Sequence, residues 1–507
     1  MNDNLFSILK SNFPDDLTTT FLQTGSGRSV SYADMLARSA QYANTLRALG
    51  LGPGERIAVQ VGKSTEALMT YLGAIRVGAA FLPLNTAYTP AEVSYFLGDA
   101  EPRVVVCDPS KEDDIGAVAG KAKVETLGQD GASGSLPERV NAAPTAFEEV
   151  RCEADDLAAI LYTSGTTGRA KGAMLTHKNL SSNAEALAAK WQFTAEDRLL
   201  HALPIYHTHG LFTASNTILH AGASMIFLPR FDADEVVSLL PQATAMMGVP
   251  TFYSRLLAND ALTRNLVKHI RVFISGSAPL SPDIHREFEL RTGHAILERY
   301  GMTETGMITS NPFDGARRAG TVGFALPGVE IRITEHESGK ELAQGEVGDI
   351  EVRGPNVFNG YWQMPEKTAE EFRDDGFFVT GDLGMIDDQG YLNIVGRDKD
   401  LIISGGFNVY PAEIEAAIDE LPAVAESAVI GVPHPDFGEG VMAVVACKAG
   451  ETLEEGDVIA SLSDTLARFK QPKRVAFVDA LPRNAMGKVQ KNELRDRYAE
   501  TFQRPAK

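Results

Sequence analysis

The run Thr163-Ser164-Gly165-Thr166-Thr167-Gly168-Arg169-Ala170-Lys171-Gly172 combines glycines, hydroxyls and two cations directly behind an apolar segment. Glycines let backbone N–H groups approach phosphate oxygens, hydroxyls add donors, and Arg169 and Lys171 offset negative charge. The chemistry such a run suits is phosphate binding. It is not the phosphate loop of the nucleoside triphosphatases, because Lys171 is followed by Gly172 rather than by Ser or Thr. Alone, it supports nucleotide binding and leaves the reaction open.

Further along lie Arg299-Tyr300-Gly301-Met302-Thr303-Glu304, Thr380-Gly381-Asp382, Gly396-Arg397-Asp398-Lys399-Asp400, Ser404-Gly405-Gly406-Phe407-Asn408-Val409-Tyr410-Pro411 and Leu481-Pro482-Arg483-Asn484-Ala485-Met486-Gly487-Lys488. In this order, over nearly the full chain, they resemble the signature elements of the adenylate-forming superfamily. That superfamily includes acyl-CoA synthetases, luciferases and the adenylation domains of peptide synthetases. The resemblance implies a ligase that joins an acid to AMP and then passes the acyl group to the thiol of CoA. Its co-substrates are ATP and CoA, and its metal is Mg²⁺. The implied nucleotide contacts are Thr163, Ser164, Gly165, Thr166, Thr167, Gly168, Lys171, Gly276, Ser277, Ala278, Glu298, Arg299, Tyr300, Gly301, Met302, Thr303, Asp382 and Arg397.

The residue types fit those roles. Bringing an anionic acid against an anionic α-phosphate needs positive charge, a metal and fixed placement. Glu304 suits Mg²⁺, which is usually held by one or two carboxylates plus phosphate oxygens. Thr303 offers a hydroxyl to the α-phosphate, and Tyr300 a flat face for adenine. Asp382 accepts from both ribose hydroxyls. By resemblance Lys488 bridges the carboxylate and the α-phosphate, Lys399 is the hinge of a mobile small domain, and Gly405 and Gly406 line the CoA tunnel. His207, in Leu203–Gly210, is the implied gate; His201 and His209 compete as satisfied core histidines. Some relatives are silenced by acetylation of the terminal lysine, which implies a lysine acetyltransferase and deacetylase as partners acting on Lys488.

As a whole the chain resembles the malonyl-CoA synthetases, which implies malonate, with methylmalonate beside it, as the acid. Other short or medium-chain acids, and loading of a free carrier protein, remain as alternatives. A small dicarboxylic acid needs a partner for its second carboxylate, because an unpaired charge in a closed site is very costly. A forked arginine is the natural donor. Arg286 is the first candidate, Arg230 and Arg255 weaker ones, with Ser277, His207 and Met302 completing the acid site.

These residues need a scaffold. Short β-branched runs alternate with helical patterns from Arg56 to Arg299, which predicts an α/β fold: a large N-terminal domain of helix-covered mixed or parallel sheets. Strands are expected at Arg56–Val61, Leu157–Tyr162, Arg271–Ser275 and Ala295–Arg299, and a loop from Leu127 to Thr145. The loops after Tyr162, Ser275 and Tyr300 all follow strands and are expected to converge. From Glu330 frequent glycine turns predict a β-rich subdomain. A small α+β C-terminal domain follows, with a helix over Gly456–Phe469. The expected division is 1–397, a hinge at 398–400, and 401–507.

The bulk numbers agree with this. Length 507 suggests several domains, and a net charge of −20 disfavours a general nucleic-acid binder. Cys107, Cys152 and Cys447 are too scattered for a disulfide framework, which fits a cytoplasmic protein. No apolar run is long enough to span a membrane.

Overall fold

The computed structural model describes residues 2–163, 170–336, 338–404, 407–435, 437–463, 466, 468–484 and 487–502. It divides into two contact-dense units, 1–331 with 352–378, and 332–351 with 379–507. This division precedes the expected boundary at 398–400, because the glycine-rich strands group by contact with the C-terminal part.

The first unit is built on a nine-stranded and a six-stranded sheet. In the larger, Thr20–Thr24, Ser224–Phe227, Arg198–His201, Ala245–Gly248, Val272–Ser275 and Leu297–Met302 run parallel. Antiparallel strands close both edges. The inner strands read as nearly unbroken apolar runs because both faces are covered. Tyr253, Phe273 and Phe288 fill one side. In the smaller sheet, Lys123–Thr126, Val104–Cys107, Arg56–Gln60, Ala80–Pro83 and Leu157–Thr163 are parallel. The edge strand Lys171–Thr176 is antiparallel to Leu157–Thr163. The glycine-rich run therefore connects two arms of a hairpin.

Two other expectations change. Residues 127–145 contain the helix Ser135–Asn141, and the helix expected to reach Phe469 spans Glu455–Ser461. A short polar helix inside a Gly/Ser-rich stretch leaves little periodic signal.

The second unit contains most of a four-stranded sheet, ordered Glu330–Thr334, Gly348–Arg353, Phe378–Ile386, Leu392–Arg397. Its other sheet centres on the hairpin of Val424–His434 with Gly438–Cys447. Alternation divides that hairpin between two cores: Ala428, Ile430, Met442 and Val444 face one way, and Val429, Val441, Ala443 and Val445 the other. No helix among the described residues is long and apolar enough to cross a membrane.

The strands that carry site residues are pinned at their opposite ends. Asp197, almost wholly buried, accepts from Arg271 Nε and Nη2 at 2.8 and 2.6 Å and from Thr244 Oγ1 at 2.7 Å. That ties the starts of Arg198–His201, Ala245–Gly248 and Val272–Ser275. Removing the carboxylate strands the cation and a hydroxyl. Asp197→Ala is therefore expected to lower stability by about 3 kcal/mol in urea unfolding; a change below the error of the melt would contradict this pinning role.

Candidate active site

Thr163 and Lys171 are cross-strand partners at the mouth of the glycine-rich hairpin. Ser164, Gly165, Thr166, Thr167 and Gly168 lie outside the described residues, but the flanks are well held. Tyr95 donates from its hydroxyl to the Ala170 carbonyl at 2.8 Å, and Tyr162 donates to Asp99 at 2.5 Å. Both partners sit on the helix Pro90–Ala100, so one helix braces both ends of the run.

Glu304 lies in the tight turn between Leu297–Met302 and Gly306–Ser310, and only 5 % of it is exposed. Its Oε1 is 3.4 Å from Thr163 Oγ1 and 3.1 Å from the Tyr361 hydroxyl. The loops after Tyr162 and Tyr300 thus converge as expected. Burial pushes the Glu304 carboxyl up, opposed by Tyr361 and Lys171. A buried carboxylate beside a hydroxyl and a lysine, next to the flanks of the glycine-rich run, fits a hard divalent cation such as Mg²⁺. Thr303 precedes Glu304 in the turn and is half-buried; Tyr300 is 8 % exposed. Gly301 must lack a side chain, since a Cβ there would meet the Gly306 carbonyl at 2.1 Å.

The loop after Ser275 meets a different group. Ser277 adopts a left-handed φ of 73° and its Oγ lies 3.1 Å from His209 Nδ1. Such a φ is uncommon outside glycine and is often kept for function. His209 opens a π-helix, His209–Asn216, a form frequent at functional sites. Its Nε2 is buried with no hydrogen-bond partner among the described residues. Burial first, then the Arg299 charge, pushes its pKa far down, so the ring is neutral. His201, by contrast, is the satisfied core histidine: Lys63 Nζ lies 3.0 Å from its Nδ1, and the Gly210 carbonyl 2.9 Å from its Nε2. His207 sits half-buried before the helix, its Nδ1 accepting from the His209 amide at 3.4 Å.

Arg299 is 4 % exposed, and its Nε and Nη2 have no partner among the described residues. Burial pushes it down to about 9, opposed by Tyr253 and, among the described residues, by no carboxylate. Gly276 makes room for it: a Cβ there would lie 2.3 Å from Arg299 Cζ. Sequence reasoning placed Arg299 with the nucleotide and chose Arg286 for the acid. The structure places Arg286 on the exposed face of Pro282–Thr292, paired with Asp283 one turn earlier. Arg230 is exposed, and Arg255, also exposed, lies over the Phe231 ring at 5.1 Å. None of these replaces a buried, unneutralised guanidinium. Glu298 is buried beside Arg299 in the chain; burial pushes it up to about 8, and it accepts from the Gly320 amide at 3.3 Å. Ala278 and Met302 are half-buried.

In the second unit, Asp382 and Arg397 are cross-strand partners, joined at 2.9 Å. Thr380 Oγ1 accepts from the Asp382 amide at 3.1 Å and donates to the Ile350 carbonyl at 2.8 Å. Lys399 lies in the turn Asp398–Asp400, its pKa lowered first by burial, with Asp400 opposing. Lys488 ends a tight turn closed by Asn484, whose Oδ1 accepts from the Lys488 amide at 3.0 Å. Lys488 is half-buried. Gly405 and Gly406 lie outside the described residues.

Comparisons with known proteins agree with this geometry. Residues 10–362 match the AMP-binding enzyme model, and residues 413–488 match the AMP-binding enzyme C-terminal domain. The chain belongs to the AMP-binding enzyme family, and it is an AMP-forming acid–CoA ligase. ATP-bound MatB from Rhodopseudomonas palustris is 59 % identical, with a TM-score of 0.97 over 99 % of this chain and 100 % of that one. The malonate–CoA ligase of Arabidopsis thaliana is 36 % identical over 87 % of this chain and 78 % of its own length. A feruloyl-CoA synthase of Amycolatopsis is 35 % identical over 93 % and 94 %.

The close approach at Gly276 gives a direct check. Gly276→Ala is expected to push the guanidinium aside and raise the KM for the acid at least about tenfold, leaving the KM for ATP within about twofold. Steady-state kinetics with each substrate varied separate the two; equal effects on both would place Arg299 at the nucleotide instead.

Proposed function

We propose that this chain converts malonate, ATP and CoA to malonyl-CoA, AMP and diphosphate through a malonyl-adenylate, and that it also accepts methylmalonate. One observation carries the choice of acid: Arg299 is a buried cation whose Nε and Nη2 have no partner among the described residues, near Ser277 and a neutral His209. Leaving such a charge without a counter-ion is costly, and a ligand carboxylate would remove the cost. A monoanionic acid spends its only carboxylate on the α-phosphate and leaves Arg299 unpaired. A dicarboxylate supplies both partners. The likeness to the malonate–CoA ligase and to MatB supports the same acid.

In this reading one malonate carboxylate oxygen attacks the α-phosphorus and diphosphate leaves. The CoA thiolate then attacks the acyl carbon and AMP leaves. Lys171 holds the β- and γ-phosphates with the glycine-rich run, Thr303 the α-phosphate, and Asp382 the ribose. Glu304 would hold Mg²⁺, which neutralises phosphate charge when bound. Lys488 bridges carboxylate and α-phosphate in the first step only, Lys399 is the hinge residue, and His207 gates the thiol. Acetylation of Lys488 would remove the charge the first step needs.

Arg299→Met is expected to cut kcat/KM for malonate by at least about a hundredfold, while butyrate turnover holds or rises. Arg286→Ala should leave both within about twofold. Parallel losses for malonate and butyrate in Arg299→Met would sink the assignment. Burial lowers the Arg299 pKa to about 9, so kcat/KM for malonate is expected to fall at the alkaline end of the pH profile as the guanidinium loses its charge. In Arg299→Met that limb should vanish. Lys488→Ala should abolish adenylate formation and preserve thioester formation from added malonyl-adenylate; equal loss of both steps would instead indicate a damaged fold.

A further inference from the structure

None of the sequence elements above includes Tyr361 or Glu371, yet both lie against the phosphate-binding lysine. Residues 359–362 run along the edge strand Lys171–Thr176: Ala173 bridges Tyr361, the Met174 amide donates to the Gly360 carbonyl, and the Trp362 amide donates to the Gly172 carbonyl. This register sets the Tyr361 ring under Lys171, whose Nζ lies 4.1 Å from the ring centroid. The following helix, Pro365–Glu371, ends on Glu371. Lys171 Nζ donates to Glu371 Oε1 at 2.8 Å, and the Tyr361 hydroxyl donates to Glu371 Oε2 at 2.6 Å.

The arrangement runs against local preference. A carboxylate at a helix C-terminus faces the negative end of the helix dipole. Lys367, one turn earlier, offsets part of that at 3.3 Å. Lys171 itself is 8 % exposed, so its ammonium has given up most of its water. An ammonium has three N–H donors. One is committed to Glu371, and the other two have no hydrogen-bond partner among the described residues, so a polyphosphate can take them up without breaking that bond.

We propose that Glu371, steadied by Tyr361, is a positioning residue that holds the Lys171 ammonium where the β- and γ-phosphates of ATP take it up. The same Tyr361 hydroxyl lies 3.1 Å from Glu304, so one side chain spaces the phosphate lysine from the carboxylate assigned to the metal. Burial alone would raise the Glu371 carboxyl, but hydrogen bonds from Lys171 and Tyr361 outweigh it and keep it low, so it stays an anion. The inference rests on Lys171 being a phosphate ligand.

A mutant cycle on the full-length enzyme tests it. Glu371→Gln should raise the KM for ATP roughly tenfold, about the worth of one charged hydrogen bond, with the KM for malonate within about twofold. In a Lys171→Met background, Glu371→Gln should have no further effect on the ATP KM. Tyr361→Phe should shift the ATP KM in the same direction by a smaller factor. An unchanged ATP KM in Glu371→Gln, or fully additive effects in the double variant, would overturn the proposal. Separately, a Lys171→Met enzyme with unaltered ATP KM would mean that the lysine is no phosphate ligand.

Discussion

A guanidinium removed from water without a carboxylate in reach is among the most expensive things a fold can hold. Among the described residues, Arg299 is held that way in the first unit. Much around it is arranged to keep it there. Gly276 gives up its side chain to make room, and Ser277 takes a left-handed backbone beside it. The π-helix brings in a histidine that burial first, and the same cation second, keep neutral. A charge kept uncompensated in the protein is a charge reserved for a ligand, and the proposed ligand is the second carboxylate of the acid.

The phosphate side follows the opposite logic. There the described charges have partners: Lys171 with Glu371, Glu371 with Tyr361 and Lys367, and Glu304 with Tyr361. ATP carries its own strong charge and its own metal, so the site gains from side chains that are already oriented. The acid is small and gains from an unmet one. Affinity for the nucleotide and selectivity for the acid are thereby assigned to separate clusters of the same unit.

How far the sequence disclosed this depended on how each residue signals. The glycine-rich run, Glu304, Asp382 and Lys488 stand in dense, ordered elements and were legible, as were the alternating strands and helices. Arg299 was legible as a site residue, but its burial and the acid-side role we propose for it were not, because in sequence it adjoins the adenine-side residues. Leu297 to Tyr300 are all buried, so no polar–apolar alternation marks its side. Arg286 looked suitable because a helical arginine after Ser277 could point inward; it points outward. Tyr361 and Glu371 reach Lys171 through strand register, which sequence spacing does not express. The apolar run after Lys171 was too short to separate strand from helix, so the hairpin emerged only in three dimensions.

The central claim is that Arg299 awaits a second carboxylate. ATP–diphosphate exchange with malonate and with its monomethyl ester tests it most directly, since the two acids share a backbone and differ in that one charge. The kcat/KM for malonate is expected to lie at least about a hundredfold above that for the ester. Comparable exchange with both acids would contradict it.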